Sequence, residues 1–314
     1  MRTRSGVLAA AIPAAAVLLA SACSSSSSST SGQTAAASSA TITAIGAENE
    51  YANVIAQIGG KYVTVTAIES NPNTDPHTYE ASPAVAREIS GARLVVQNGV
   101  GYDTWATTIE NAAPDPGRKV INVQHLLGLP DSTPNPHLWY KPATMPAVAS
   151  AIAADLAAIQ PAHAAYFKAN QAAFTASLAA WNQAISKFKA AYPGTTVATT
   201  EPVADYMLQA AGADNLTPWA FQAAIMNGTD PSAQDVAIER ALFAQHKVKV
   251  FLYNQQVTDT LTESFITLAH ASGIPVVGVY ETMPTPGYDY QSWMLAEVTA
   301  LEKAVTAKVS TEHL

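Results

Sequence analysis

The chain has 314 residues, of which 48% are hydrophobic and 13% are charged, and its formal net charge is −8. A domain usually takes about 100–200 residues, so this length and apolar content allow two folded lobes. The acidic balance and the lack of a basic run argue against nucleic acid as a partner. The single cysteine, Cys23, excludes a disulfide framework and a thiolate metal cluster.

The first 22 residues have the features of an export signal. Arg2 and Arg4 precede an apolar run at 7–20 that is too short to span a bilayer, and small residues follow it. The segment Leu18-Leu19-Ala20-Ser21-Ala22-Cys23 resembles a bacterial lipobox, in which the cysteine is lipidated and becomes the mature N-terminus. We therefore expect a lipoprotein signal peptide at 1–22 and lipidation at Cys23. An ordinary secretory signal with a coincidental cysteine is the alternative.

The next segments are a linker and an N-terminal lobe. Residues 23–40 are mostly Ser, Thr, Ala and Gly, which is typical of a flexible linker. From residue 41 to 160, β-rich runs alternate with helical patterns, and such alternation predicts a parallel sheet with helical crossovers. The predicted strands lie at 41–45, 62–68, 93–96 and 119–123.

The middle of the chain is helical by pattern. Residues 142–191 are rich in alanine, with Leu, Phe and Trp at helical spacing and with prolines at 146 and 161. The helical spacing at 163–190 predicts one helix with a length of about 42 Å, at about 1.5 Å per residue. Such a helix is longer than a small lobe, so we expect residues 161–192 to be a rigid connector.

A second strand–helix alternation follows Pro193-Gly194 and predicts a C-terminal lobe at 193–314. The predicted strands lie at 195–199, 248–253 and 274–280, and the predicted helices at 203–212, 232–246, 257–271 and 290–308. The expected fold class is thus α/β, with two lobes that each have a mostly parallel sheet and flanking helices, joined by one long rigid helix. Beyond the export signal, nothing reaches the roughly 20 apolar residues of a transmembrane helix.

Two short motifs resemble each other and carry histidines. They are Asp75-Pro76-His77-Thr78-Tyr79 and Asn135-Pro136-His137-Leu138-Trp139. The proline stiffens the turn, the Asp or Asn can bond nearby backbone or hold the ring in one tautomer, and the aromatic shields the ring. Such a motif is suited to a preorganised imidazole ligand. A single turn histidine is usually satisfied by backbone, but the repetition weakens that interpretation.

Two glutamates follow predicted strands of the second lobe. Glu201 comes after the strand at 195–199, and Glu281 comes after the strand at 274–280. Open α/β sheets bind ligands at the carboxyl ends of their strands. Two carboxylates facing two imidazoles predict a divalent-cation site that suits Zn²⁺, Mn²⁺ or Fe²⁺.

The ordered motifs resemble the metal-binding solute-binding lipoproteins of ABC importers, a family that serves zinc, manganese and iron (cluster A-I type). The resemblance covers about residues 41–310. It rests on the lipobox, the two Pro-His motifs, Trp105 and the segment Val95-Val96-Gln97-Asn98-Gly99-Val100-Gly101-Tyr102. It implies two α/β lobes that hold one metal ion between them with four side chains.

The resemblance also implies the ligands. His77 and His137 match the first two positions, Glu201 takes the third because it precedes Tyr206 by five residues, and Glu281 stands where the family usually has an aspartate. Asp75, Asn98 and Tyr206 are candidates to orient these ligands. No catalytic residue is expected, because four protein ligands close the coordination shell.

The types of the four predicted ligands indicate which metal ion the site would bind. Zinc importers of this family tend to have a third histidine and a His-rich loop, whereas this chain has Glu201 and only His125 between the first two ligands. The set resembles the manganese-type members, so we expect Mn²⁺ first, Zn²⁺ next and Fe²⁺ as a further option. Zn²⁺ binds most such sites more tightly than Mn²⁺, so ligand type alone leaves the choice open.

The predicted function is that of an extracytoplasmic receptor, held at the bacterial cell membrane by its lipid anchor alone. It would be a monomer that delivers the ion to the permease of an ABC importer. One alternative is a secreted metal-dependent hydrolase, which the lack of a His-Glu-x-x-His motif disfavours. The other is an adhesin-like surface protein with a structural metal.

Overall fold

The structure is a computed structural model and describes residues 41–314. The predicted signal peptide, the lipidation site Cys23 and the linker to residue 40 lie outside the described residues. The described residues belong to one compact unit. No helix within 41–314 has the length and apolar content to cross a membrane.

The first half of the described chain forms a sheet of four parallel strands in the order β2-β1-β3-β4. Its elements are β1 (Ile42–Glu48), α1 (Asn49–Gly59), β2 (Val63–Glu69), α2 (Pro83–Gly91), β3 (Leu94–Gln97), α3 (Thr104–Ala112), β4 (Lys119–Asn122), α4 (Val123–Leu126) and α5 (Thr144–Ile159). Ala44 pairs with Val65 on one side and with Leu94 on the other. Because all strands are parallel, their carboxyl ends share one edge of the sheet.

The second half forms another sheet of four parallel strands, in the order β6-β5-β7-β8. Its elements are β5 (Thr195–Thr199), α8 (Asp205–Ala210), β6 (Ala213–Asn215), α9 (Trp219–Met226), α10 (Ala233–Ala244), β7 (Val250–Asn254), α11 (Thr260–Ala271), β8 (Val276–Val279) and α12 (Tyr290–Ala307). The fold class predicted from the sequence is confirmed: two parallel sheets with flanking helices. The sequence pattern missed only short elements, chiefly β6 and α9.

The connecting segment differs from the single helix predicted at 163–190. It consists of α6 (Ala164–Ser177) and α7 (Ala179–Ala191), which meet at Leu178. Leu178 has φ −71° and ψ −8°, tighter than an ideal helix, and its side chain is buried. This break lets apolar side chains of both helices pack into one core. The lobe boundaries near residues 160 and 193 stay a prediction.

One hydrophobic core spans both halves of the chain. It contains side chains from the first sheet, from α6 and α7, and from α12. Trp181 of α7 packs edge-on against Tyr290 of α12, with 6.0 Å between ring centroids, and Phe174 of α6 also contacts Tyr290. A second core, on the second sheet, contains Phe221, Phe243, Phe251 and Phe265. The connecting helices are therefore part of the packed body.

The C-terminal tail covers the outer edge of β8. The backbone N–H of Gly278 donates to Thr311 O at 2.8 Å, and Thr311 N–H donates to Val276 O at 2.8 Å. Gly278 is required there, since a Cβ would collide with the carbonyl of Glu312. The tail thus shields an edge strand that would otherwise present unpaired backbone groups.

Candidate metal centre

His77 lies in a short 3-10 turn that its own motif builds. Pro76 opens the turn at Pro76–Thr78, where its missing N–H costs nothing, and Asp75 Oδ1 accepts a hydrogen bond from the His77 N–H at 2.8 Å. The His77 side chain is 19% exposed. The turn follows the carboxyl end of β2, so His77 lies at the edge of the first sheet where the strands end.

His137 is held more rigidly and is fully buried. Asn135 Oδ1 accepts from the His137 N–H at 2.9 Å and lies 2.8 Å from its Nδ1. The Asn135 amide donates from Nδ2 to Pro202 O at 2.7 Å, and this contact orients Oδ1 toward the ring. Since Oδ1 can only accept, this contact favours a proton on Nδ1 and makes Nε2, which lies 3.0 Å from Glu281 Oε2, the ring nitrogen available to a ligand.

Glu281 joins the two histidines. It follows β8 after Tyr280, and its Oε2 lies 3.1 Å from His77 Nε2 and 3.0 Å from His137 Nε2. The hydroxyl of Tyr102 donates to the same oxygen at 3.0 Å. His77, His137 and Glu281 each offer one ligand atom, and these three atoms lie within 4.8 Å of one another. That geometry is suited to binding one metal ion.

Glu201 is the fourth predicted ligand and lies beside this trio. It follows β5 and is 2% exposed, and its Oε2 has no hydrogen-bond partner among residues 41–314. Asn254, at the end of β7, donates from Nδ2 to Glu201 Oε1 at 3.1 Å and to Glu281 Oε1 at 2.7 Å. The amide therefore holds the two carboxylates together. The other oxygen of Glu281, Oε2, faces the two histidines, whereas Glu201 Oε2 has no hydrogen-bond partner among residues 41–314.

The electrostatics of the site follow from burial and from close opposite charges. Burial opposes ionisation of Glu281, but the neighbouring His77 and His137 outweigh it and hold its pKa well below the usual range. Burial also disfavours a charged His77, yet the Glu281 carboxylate raises its pKa to about 9. Burial lowers the pKa of His137, and burial with the nearby Glu281 charge raises the pKa of Glu201. The metal-free site thus contains a His77–Glu281 ion pair.

The three predicted orienting residues each bond a Pro-His motif. Asp75 accepts from the His77 N–H, as described above. Asn98 donates from Nδ2 to Pro136 O at 2.8 Å and accepts from the buried hydroxyl of Tyr51 at 2.7 Å. Tyr206 donates from its hydroxyl to Asn135 O at 3.0 Å. Two of the three therefore act on the backbone just before His137.

Sequence reasoning missed Gln256, which positions the Glu281 loop. Gln256 Oε1 accepts from the backbone N–H groups of Glu281 and Thr282, at 2.6 and 2.8 Å. Its Nε2 donates to Thr74 O at 2.8 Å and thereby ties this loop to the segment before His77. Its place two residues after β7 was the available signal, because that edge of the sheet faces the site. The contact of Tyr102 with Glu281 was also missed.

Comparison with known proteins gives the family. Residues 47–304 match the family described as ZnuA, the periplasmic component A of a zinc-uptake complex. The chain belongs to this family. The metal-binding family that the resemblance of the motifs indicated is thereby confirmed.

Solved structures show the same fold. A structure described as ZnuA is 22% identical with a TM-score of 0.68, and the match covers 85% of this chain and 100% of that one. The Mn-bound periplasmic metal binding protein from Candidatus Liberibacter asiaticus is 19% identical with a TM-score of 0.69, covering 84% and 99%. A Cd-bound structure of that protein matches to the same extent. At these identities the likeness is one of fold.

Proposed function

We propose that this protein captures a divalent transition-metal ion between its two lobes and delivers it to the permease of an ABC importer. One observation carries the proposal. Side chains from the carboxyl edges of both sheets, namely His77, His137 and Glu281, converge within 4.8 Å, with the unsatisfied Glu201 beside them. The ion is the transported substrate in this proposal. Neutral imidazole and carboxylate are ligands that such ions prefer.

The four side chains would close the shell of the ion. His77 and His137 would supply Nε2, Glu281 its Oε2, and Glu201 the oxygen that has no partner within 41–314. A closed shell leaves no position for a catalytic water, which separates this function from that of a metal-dependent hydrolase. Release would follow when docking on the permease parts the two sheets and separates the histidines from the carboxylates.

The metal that we propose is Mn²⁺, with Zn²⁺ next and Fe²⁺ also accommodated. Two carboxylates beside two imidazoles make a harder set than three imidazoles would. The family's description names zinc uptake, and relatives of the same fold are described as Mn-bound and Cd-bound. We further propose that the protein acts as a monomer outside the cytoplasm, with Cys23 lipidated and residues 23–40 as a linker to the membrane.

The test is metal binding by the purified metal-free protein. We expect one divalent ion per chain by elemental analysis, and competition among Mn²⁺, Zn²⁺ and Fe²⁺ gives the preference. The double variant His77→Ala, Glu281→Ala should lose stoichiometric binding. A matched control is His270→Ala, Glu312→Ala, which removes an exposed His–Glu pair with a 2.9 Å contact that is not among the proposed ligands. Unchanged affinity and stoichiometry in the first variant would refute the proposal.

A further inference from the structure

The side chain of Asn254 is fully buried beside the two carboxylates of the metal centre, and its orientation is fixed by its neighbours. Its Oδ1 accepts a hydrogen bond from the backbone N–H of Gln256 at 3.0 Å, and its own backbone N–H donates to Thr200 Oγ1 at 3.0 Å. The atom that faces the Gln256 N–H must be the amide oxygen, because an amide nitrogen cannot accept. The NH₂ group of Asn254 is therefore turned toward the carboxylates.

Both hydrogens of this NH₂ group are in use. Nδ2 donates to Glu281 Oε1 at 2.7 Å and to Glu201 Oε1 at 3.1 Å. Asn254 is 0% exposed, Glu281 1% and Glu201 2%, so water cannot replace either partner. A change that broke one of these bonds would leave a buried donor and a buried acceptor unpaired, which is costly. The two Oε1 atoms are thus held at the amide, and each carboxylate is left with Oε2 alone.

The oxygens that remain are the ones that can bind an ion. Glu281 Oε2 lies 3.1 Å from His77 Nε2 and 3.0 Å from His137 Nε2, and Glu201 Oε2 is buried with no hydrogen-bond partner among residues 41–314. An ion bound by both oxygens of a carboxylate lies on the bisector of that group. To bind in this way, either glutamate would have to turn and draw its Oε1 away from Asn254.

We propose that Asn254 limits Glu201 and Glu281 to one oxygen each, so that the protein offers the ion four donor atoms, two nitrogens and two oxygens. This inference rests on the proposed function. A closed set of four donors is the arrangement that Zn²⁺ takes in proteins, whereas Mn²⁺ is suited to six-coordinate, oxygen-rich sets. Asn254 is therefore a positioning residue that favours Zn²⁺ relative to Mn²⁺. It opposes the preference for Mn²⁺ that the ligand types give, and it narrows the margin between the two ions.

Removal of the amide should change the relative affinities for the two ions. In Asn254→Ala both Oε1 atoms are free to turn, so each glutamate can bind the ion with two oxygens and the protein can offer up to six donors. Both ions should bind more weakly, because the carboxylates are less well held. The loss should be greater for Zn²⁺, and we expect the ratio of the Zn²⁺ to the Mn²⁺ dissociation constant to rise about tenfold, the effect of about one buried hydrogen bond.

The experiment uses Co²⁺ as a probe of coordination number, on the full chain. Four-coordinate Co²⁺ absorbs visible light much more strongly than six-coordinate Co²⁺. The wild type should show the strong bands, and Asn254→Ala the weak ones. Asn254→Leu has a side chain of similar size without a donor, so it fills the space and should give the same change as Asn254→Ala. Competition titrations with Zn²⁺ and Mn²⁺ measure the ratio of dissociation constants in each protein.

Gln256→Ala is the matched control for a site that is merely loosened. It removes the acceptor of the Glu281 and Thr282 N–H groups, but it keeps the backbone N–H that orients Asn254. The affinities should therefore change while the Co²⁺ spectrum and the ratio of Zn²⁺ to Mn²⁺ dissociation constants stay as in the wild type. An equal change of spectrum and ratio in Gln256→Ala would show that the effect does not come from the amide.

The remaining results separate this inference from the proposed function. Weak six-coordinate bands in the wild type, or an unchanged spectrum and ratio in both Asn254 variants, would overturn the role of Asn254. Stoichiometric binding of one ion by the wild type in those cases leaves the proposed function standing. If the wild type binds none of Mn²⁺, Zn²⁺ and Co²⁺, the proposed function fails, and the role of Asn254 fails with it.

Discussion

Glu281 Oε2 lies 3.0 Å from His137 Nε2, although 144 positions separate the two residues. His137 follows the first sheet and Glu281 ends a strand of the second. The contact therefore joins the two halves of the molecule at the site itself. Any movement that parts the two sheets must break it.

Removal of the Asn254 amide should weaken metal binding. In Asn254→Ala, Glu201 and Glu281 lose the donor that holds them side by side, and the buried oxygens Glu201 Oε1 and Glu281 Oε1 lose this hydrogen bond. We expect the dissociation constant to rise at least about tenfold and the free energy of unfolding to fall by about 1–3 kcal/mol. Calorimetric titration and chemical denaturation measure the two effects. Asn227→Ala, at an exposed helix end, is the control, and equal effects in both variants would contradict this role.

Removal of the Gln256 side chain should shorten the lifetime of the complex between the protein and its metal ion. In Gln256→Ala the backbone N–H groups of Glu281 and Thr282 lose their shared acceptor, and the link to Thr74 O is also lost. Because the ligand chemistry is intact, we expect binding stoichiometry to stay the same while the dissociation rate constant rises several-fold. Stopped-flow release into a chelator measures it. A dissociation rate constant equal to that of the wild type would show that the loop does not need this side chain.

The affinity for metal should depend on pH through His77. The metal-free imidazole has a pKa of about 9 because the Glu281 carboxylate outweighs burial, so it is protonated at pH 7 and must lose its proton to bind the ion. We expect the apparent affinity for Mn²⁺ to rise by up to about tenfold per pH unit from 7 to 9 and then to level off. In His77→Gln this slope should be reduced, whereas His270→Gln should keep it. If the affinity for Mn²⁺ rose equally steeply with pH in the wild type and in His77→Gln, the pH dependence would not come from His77.

Glu297 should give the metal-free protein a separate pH dependence of stability. Burial raises its pKa to about 8, although Trp293 Nε1 donates to its Oε1 and the Tyr140 hydroxyl lies 3.1 Å from the same oxygen. A raised carboxyl pKa means that the folded state holds the proton more tightly, so stability is greatest below the unfolded pKa and is lost as pH rises toward 8. Glu297→Gln cannot ionise and should gain stability relative to wild type from pH 5 to 8.

The relative gain should reach up to about 1.4 kcal/mol per pH unit, measured by denaturant unfolding in the presence of a chelator. Glu302→Gln, an exposed position of the same helix, is the matched control and should follow the wild type. Parallel curves for Glu297→Gln and the wild type would show that Glu297 is ionised in the fold. This network lies near the site, because Tyr140 also donates to Tyr280 O at 2.8 Å, directly before Glu281.

The sequence by itself was sufficient for the fold class and for most of the strands. Strand and helix periodicities differ, and parallel sheets require alternation of the two, so local pattern is enough to recognise the architecture. The repeated Pro-His motifs also determine their own turns, because Asp75 and Asn135 bond the backbone only two residues ahead. These are local interactions, and local sequence contains all their partners.

Only the tertiary structure decided which distant groups meet. Whether α6 and α7 form one straight helix depends on the core into which Leu178 packs, and the pattern of alanines is the same in either case. The position of Tyr102 against Glu281 and that of Gln256 against Glu281 and Thr74 arise from contacts between segments that are not neighbours in the chain. Residue types show which atoms can bond. Packing of the two sheets determines which of them are within reach.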